Sequence, residues 1–343
     1  MSWQPGSAPA EAPPGLAATL RKSSDLVLQL HLRPTGKPEK IQPSVGLYFT
    51  QEAPTRAALM LLLRSVAMDI PPGATDYAVE TSYKLPADAD ALSVLPHMHY
   101  LGKEAHGWAE LPDGTVRELI LIKHWNFDWQ GAYRYAEPVF LPKGSTLRMR
   151  YTFDNSADNP RNPHQPPQRV THGLQSSDEM AELWLQILPR NPAERDLLWR
   201  NYVTMRGLPD DIAWAESLLS KEPKDAERRT DLGAALTAAG NIPAAITALE
   251  QAIADEPTKA RPHYILGQIY WRQKNTAKAR ESMERAAELD PEDFNTRNNL
   301  GWLLMAAGDV PAAIRHLEKA VQLRPEDPRA RENLAKARSL QAK

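Results

Sequence analysis

The sequence predicts a multidomain chain, an all-β sandwich followed by an all-α array of helix pairs. Three observations predict it. In the first half, short β-rich or alternating runs at 26–32, 45–49, 115–122 and 146–153 are separated by clusters of Pro, Gly, Asn and Asp. Pro34-Thr35-Gly36, Pro71-Pro72-Gly73, Pro112-Asp113-Gly114 and Pro142-Lys143-Gly144 join a fixed φ to a residue that tolerates positive φ, as tight turns require. In the last third, Gly233, Gly267 and Gly301 recur every 34 residues, in step with Ala245, Ala279 and Ala313, with Ala252, Ala286 and Ala320, and with Pro257, Pro291 and Pro325.

At 343 residues the chain is long enough for two cores. Its formal net charge is -2 and it carries no basic tract, which argues against nucleic acid as a partner. It has no cysteine, which excludes zinc fingers, thiolate copper sites and cysteine nucleophiles. The longest apolar run, 57–68, is interrupted by Arg64 and is too short to span a bilayer. Residues 1–15 lack the charged and apolar regions of a signal peptide.

In chain order, residues 1–21 read as a Pro/Ala-rich linker and 22–190 as the sandwich. Within it, 155–168 forms a long polar loop of the kind that often borders sites. Residues 191–207 read as a connector. The helical part, 208–343, opens with a degenerate half repeat at 208–223. Full repeats follow at about 224–257, 258–291 and 292–325, and a capping helix lies in 326–343. The small residues at fixed period allow close helix crossing, and the prolines end each second helix. Helix pairs of this period are tetratricopeptide repeats, which stack into a superhelix with a concave surface for protein partners.

Candidate chemistry centres on Pro96-His97-Met98-His99-Tyr100-Leu101-Gly102, read with Ser176-Ser177-Asp178-Glu179-Met180. Two histidines two apart on a strand project from one face, and two neutral imidazoles there suit a metal. A methionine thioether added to them favours Cu(I). His106 and His124, beside Trp108 and Trp125, read as half-buried structural histidines. His164, His263 and His316 have no partners at ligand spacing. His172 reads as an ordinary loop histidine or as a group behind the ligands.

Segments 22–50, 94–102 and 173–188, in that order, resemble the C-terminal half of the type II copper, ascorbate-dependent monooxygenases, the family of peptidylglycine hydroxylase and dopamine β-hydroxylase. The resemblance covers roughly residues 1–190. It implies a jelly-roll-type sandwich and a dioxygen-activating copper held by His97, His99 and Met180, with ascorbate as reductant. It also implies a periplasmic or exported setting. Asp178 and Glu179 would orient the ligands, with Gln29 and His172 as further supporting groups. His31 matches the third ligand of the family's second copper. The other two ligands are an adjacent His-His pair that this sequence nowhere contains, so that second site is incomplete. Trp3, Gly6, Pro14-Gly15 and Lys22 resemble the linker between the family's two sandwich domains, and the expected partner is therefore an N-terminal copper domain, upstream or separate. Leu95 stands where the peptide-hydroxylating branch has an arginine, and Glu182 and Trp184 stand where it has Asn and Tyr, which argues against glycine-extended peptides as substrates. Two readings follow: half of a copper hydroxylase, or a non-catalytic copper-binding adaptor acting through its repeats.

Overall fold

The computed structural model describes residues 36–342, together with 15–17, 20, 24, 26–28 and 30. The strands are β1 (Leu59–Arg64), β2 (Asp69–Ile70), β3 (Tyr77–Lys84), β4 (Ala89–His97), β5 (Gly102–Glu110), β6 (Val116–Ile122), β7 (Tyr133–Leu141), β8 (Thr146–Phe153), β9 (Val170–Thr171) and β10 (Glu182–Pro189). Antiparallel pairing orders them as β1-β10-β4-β7 in one sheet and β3-β8-β5-β6 in another, with β2-β9 as a two-stranded ribbon.

The alternation of β8 explains the layering. Leu147, Met149 and Tyr151 point inward and are fully buried, while the residues between them are half-exposed. They meet Leu61, Leu63, Leu183, Leu185 and Ile187 of the opposite sheet in one continuous core. Small inward residues on β5 let the sheets approach: a Cβ on Gly107 would lie 2.6 Å from Leu183 Cδ2. Among the described residues the first strand begins at Leu59, later than the expected start of the sandwich. Residues 45–49 are exposed and form no strand, because no described strand offers them a ladder of hydrogen-bond partners. The expected strand at 26–32 lies partly outside the described residues.

The supposed connector at 191–207 is helical. Helix α1 (Pro192–Tyr202) starts at an Asn191 cap that accepts the Glu194 N–H, with proline at its first position, and runs into a π-helical turn at Val203–Gly207. It docks on the sandwich. The Tyr202 hydroxyl accepts the Leu62 N–H at 2.9 Å and donates to the Leu62 carbonyl at 3.2 Å, capping the open edge of β1. Tyr83 donates to Asn201 at 2.9 Å. Periodicity missed this helix because its apolar contacts, Leu198 and Tyr202, are too few to make a stripe.

Beyond it lie α2 (Leu208–Lys221), α3 (Ala226–Ala238), α4 (Ile242–Asp255), α5 (Ala260–Arg272), α6 (Thr276–Leu289), α7 (Phe294–Ala306), α8 (Val310–Leu323) and α9 (Pro328–Gln341). After α2 they form three helix pairs, α3 with α4, α5 with α6 and α7 with α8, followed by α9. The periodic glycines sit where paired helices cross. A Cβ on Gly233, Gly267 or Gly301 would come within 2.6, 2.5 or 2.6 Å of Leu249, Met283 or Leu317. At Gly301 the carbonyl of Ala313 also stands 3.1 Å away, and backbone cannot swing aside. Gly301→Leu should therefore destabilise the array by about 2 kcal/mol through overpacking. Urea unfolding followed by helical circular dichroism measures it, and an unchanged midpoint would show that the crossing is not tight.

Candidate metal centre

Neighbouring strands of one sheet, β4 and β10, bring the two motifs to one end of the sandwich. Glu182 of β10 pairs with His97 of β4, so the segment carrying Met180 enters β10 beside the segment that leaves β4. The element ends at His97, however. His99 lies beyond it in the turn into β5, so strand alternation is not what joins the two histidines. The turn closes them instead, with ring centroids 5.2 Å apart and nearly perpendicular. Met98 between them is fully buried in the core.

Glu179 makes that turn. Its carboxyl is wholly buried and accepts backbone N–H groups from His99 (2.8 Å), Leu101 (2.6 Å) and Met180 (3.2 Å). One of its oxygens serves both His99 and Met180, which holds their backbone nitrogens within about 6 Å of each other. Burial pushes the carboxyl up to about 8, against three donors that favour its ionised form. Asp178 contributes its carbonyl, which accepts from His99 Nδ1 at 3.0 Å.

Both ring tautomers follow. His97 Nδ1 faces Gln130 Oε1 at 2.5 Å and His99 Nδ1 faces a carbonyl, so each Nδ1 carries the proton and each Nε2 keeps its lone pair. Burial, with His97 adding to it, holds His99 down to about 4 and hence neutral at pH 7. Hydrogen-bonded oxygens stand behind both rings, and the Met180 side chain is buried. Among the described residues no three His, Cys, Asp or Glu side chains group as a metal site.

Several supporting residues escaped the sequence reading. Gln130 and Trp125 come from the loop between β6 and β7, and the Trp125 indole donates to the His99 carbonyl at 3.1 Å. A Cβ on Gly102 would lie 2.5 Å from Trp125 Cδ1, which explains the glycine that closes the histidine motif. From the polar 155–168 loop, His164 Nε2 lies 3.3 Å from the Ser177 carbonyl.

His172 is buried behind the site. Its Nδ1 lies 2.8 Å from Ser217 Oγ of α2, its Nε2 has no partner, and its ring packs at 4.6 Å against Trp214. Burial, then the positive charges of Lys221 and Arg64, hold it down to about 4. An ordinary loop position does not describe it.

Other placements differ from expectation. His124 is exposed rather than half-buried, while His106 is half-buried with Nε2 2.7 Å from Glu118. His31 and Gln29 lie outside the described residues. Leu95 and Trp184 pair across β4 and β10, and the Trp184 indole donates to Glu182 at 3.1 Å.

Comparison with known proteins bears on the helical half. Residues 230–294 match one tetratricopeptide repeat family model and residues 294–337 match another. No curated protein matches the chain. A crystal structure of MamA is 24% identical, covering 38% of this chain and 77% of its own, with a TM-score of 0.35. MamA 41-end from Desulfovibrio magneticus RS-1 is 20% identical, covering 43% and 83%, at 0.37. The first TPR of Spaghetti (RPAP3), bound to an HSP90 peptide, is 19% identical, covering 34% and 94%, at 0.33. The repeats indicate a role in binding protein partners. No helix among the described residues is long and apolar enough to cross a membrane.

The shifted groups give the site a pH signature. His99 and His172, lowered from 6.5 to about 4, bind fewer protons folded than unfolded, so their contribution to stability grows as pH rises between those values. Glu179, raised from 4.5 to about 8, binds more protons folded, so its contribution falls as pH rises through that window. Two histidines outweigh one carboxyl until about pH 6.5, above which only Glu179 still changes. Urea titrations of the wild type should show this decline between about pH 6.5 and 8, and Glu179→Gln should remove it. An equal slope in both chains would mean that Glu179 is ionised throughout.

Proposed function

We propose that this chain is a copper-binding adaptor, with a metal site at His97, His99 and Met180 on a β-sandwich and a repeat array that engages a protein partner. The carrying observation is the shared carboxyl of Glu179, which brings His99 and Met180 together while both histidines keep their Nε2 lone pairs. Bound there, copper would supply a soft one-electron redox centre. The residues themselves do the rest: Gln130 and the Asp178 carbonyl fix the rings, and burial keeps His99 neutral.

For the partner we assign the face on which α5 and α7 meet. Tyr264 accepts from Gln268 and Asn299, each at 2.8 Å, and Trp271 meets Trp302 edge-on at 5.1 Å. Amides and half-exposed indoles side by side suit an extended peptide, whose backbone and apolar side chains both need partners.

A second reading, the dioxygen-activating half of an ascorbate-dependent monooxygenase on a jelly-roll-type sandwich, is favoured by the same two-histidine, one-methionine set. It requires an electron beyond the one a single copper stores, from a second copper domain to which His31 would contribute. In this reading the purified chain with ascorbate and dioxygen releases peroxide without stoichiometric hydroxylated product. Tightly coupled product formation by the chain alone would overturn that incomplete-site view.

Titration with Cu(I) against a competing chelator should give one copper per chain. His97→Ala should lower the affinity at least about tenfold, as loss of one of three ligands implies. X-ray absorption of the loaded protein should show a sulfur scatterer that vanishes in Met180→Leu. With no cysteine in the chain, absence of sulfur would exclude Met180.

A further inference from the structure

Helix α2 belongs to the repeat array by sequence period, yet one of its faces is occupied by the candidate metal centre. Trp214, Ser217 and Lys221 fall at helical spacing along that face. Lys221 Nζ lies 2.6 Å from Asp178 Oδ1, Ser217 Oγ lies 2.8 Å from His172 Nδ1, and Trp214 packs on the His172 ring. Trp214 is in turn covered by the Arg64 guanidinium at 4.4 Å. Ile212, also on α2, packs against the core of the repeats.

The loop gripped by this face has little freedom. Gly173 donates to the Glu179 carbonyl and Glu179 to the Thr171 carbonyl, closing 171–179 into a narrow turn. A Cβ on Gly173 would lie 2.1 Å from Asp178 Oδ2 and 2.6 Å from Lys221 Nζ, so the ion pair is seated directly over the glycine. The Asp178 side chain meets Lys221 while its carbonyl accepts from His99 Nδ1 at 3.0 Å. One residue thus joins the first repeat helix to a candidate ligand.

We propose that α2 is a lever between the repeat array and the histidine pair, in which Lys221 and Ser217 position the 172–179 loop and thereby the ring of His99. Lys221 and Ser217 are positioning residues, since their contacts are with Asp178 and His172 and not with His97 or His99. A partner that tilts α2 against the sandwich would be read out at His99, and copper at the histidines would alter partner affinity by the same factor. Only the copper arm of the test below rests on the copper reading above.

The test uses the full chain with nitrogen-15-labelled histidine. In metal-free wild type, the His99 imidazole should report a proton fixed on Nδ1. In Lys221→Met that signal should shift toward mixed tautomers, and the Cu(I) affinity should fall about tenfold, as it does when groups behind metal ligands are lost. Lys221→Arg, which keeps the charge, should restore both. Ser217→Ala provides an independent variant should Lys221→Met fail to fold. A His99 signal at its wild-type position in every folded variant, Ser217→Ala included, overturns the lever. An imidazole shift without copper binding by any chain supports the lever and removes the copper reading, so the two fail separately.

Discussion

A single buried carboxyl holds this site together. Glu179 receives backbone N–H groups from the turn after β4 and from the residue that leads into β10, so one side chain joins segments about eighty residues apart in sequence. Backbone donors in a loop without strand partners would otherwise lie unpaired in the interior, at about 1–3 kcal/mol each. Everything around it depends on that closure. The edge-on rings of His97 and His99 and the packing of Trp125 over Gly102 both require the turn to stay shut.

The same economy appears where the two domains meet. The edge of β1 is covered by Tyr202, a residue of the helix that follows β10, and the loop before β10 is gripped by α2. The sandwich therefore uses helices for two tasks its own strands leave undone, closing an edge and stiffening a loop. In return, α2 gains a polar seat for Ser217 and Lys221 while Ile212 packs with the repeats. Fusion of these domains is structural as well as sequential, because atoms of the repeat array take part in the hydrogen bonding behind the candidate ligands.

This arrangement changes how the two readings of the chain relate. A metal site and a partner-binding array on a flexible tether would act independently, and either would be explained without the other. Here a helix with one face on each makes the array part of the site's support. The histidines keep their lone pairs because oxygens from Gln130 and Asp178 occupy the opposite ring nitrogens, and Asp178 is the residue that α2 holds. Adaptor and redox readings thus share one physical element, and they differ in what the metal does once bound.

What the sequence determined by itself was the periodic and the local. A 34-residue repeat of small residues names helix pairs because a close crossing leaves no room for a side chain, and Gly233, Gly267 and Gly301 sit at those crossings. Turn signatures located the loops, since Gly73, Gly114 and Gly144 adopt the positive φ that other residues avoid. The motifs that carry His97, His99 and Met180 were legible as residue types in order. Their convergence was not, because it rests on strand pairing and on a buried carboxyl whose partners are backbone atoms, which leave no trace in side-chain pattern. Helix α1 leaves no periodic signal because two buried residues make no stripe, and 45–49 forms no strand because a β-rich run states a capacity to pair without supplying a partner. Ser217 and Lys221 looked like an ordinary helix surface. Only the tertiary structure, by setting the sandwich against that surface, gave those two side chains their partners.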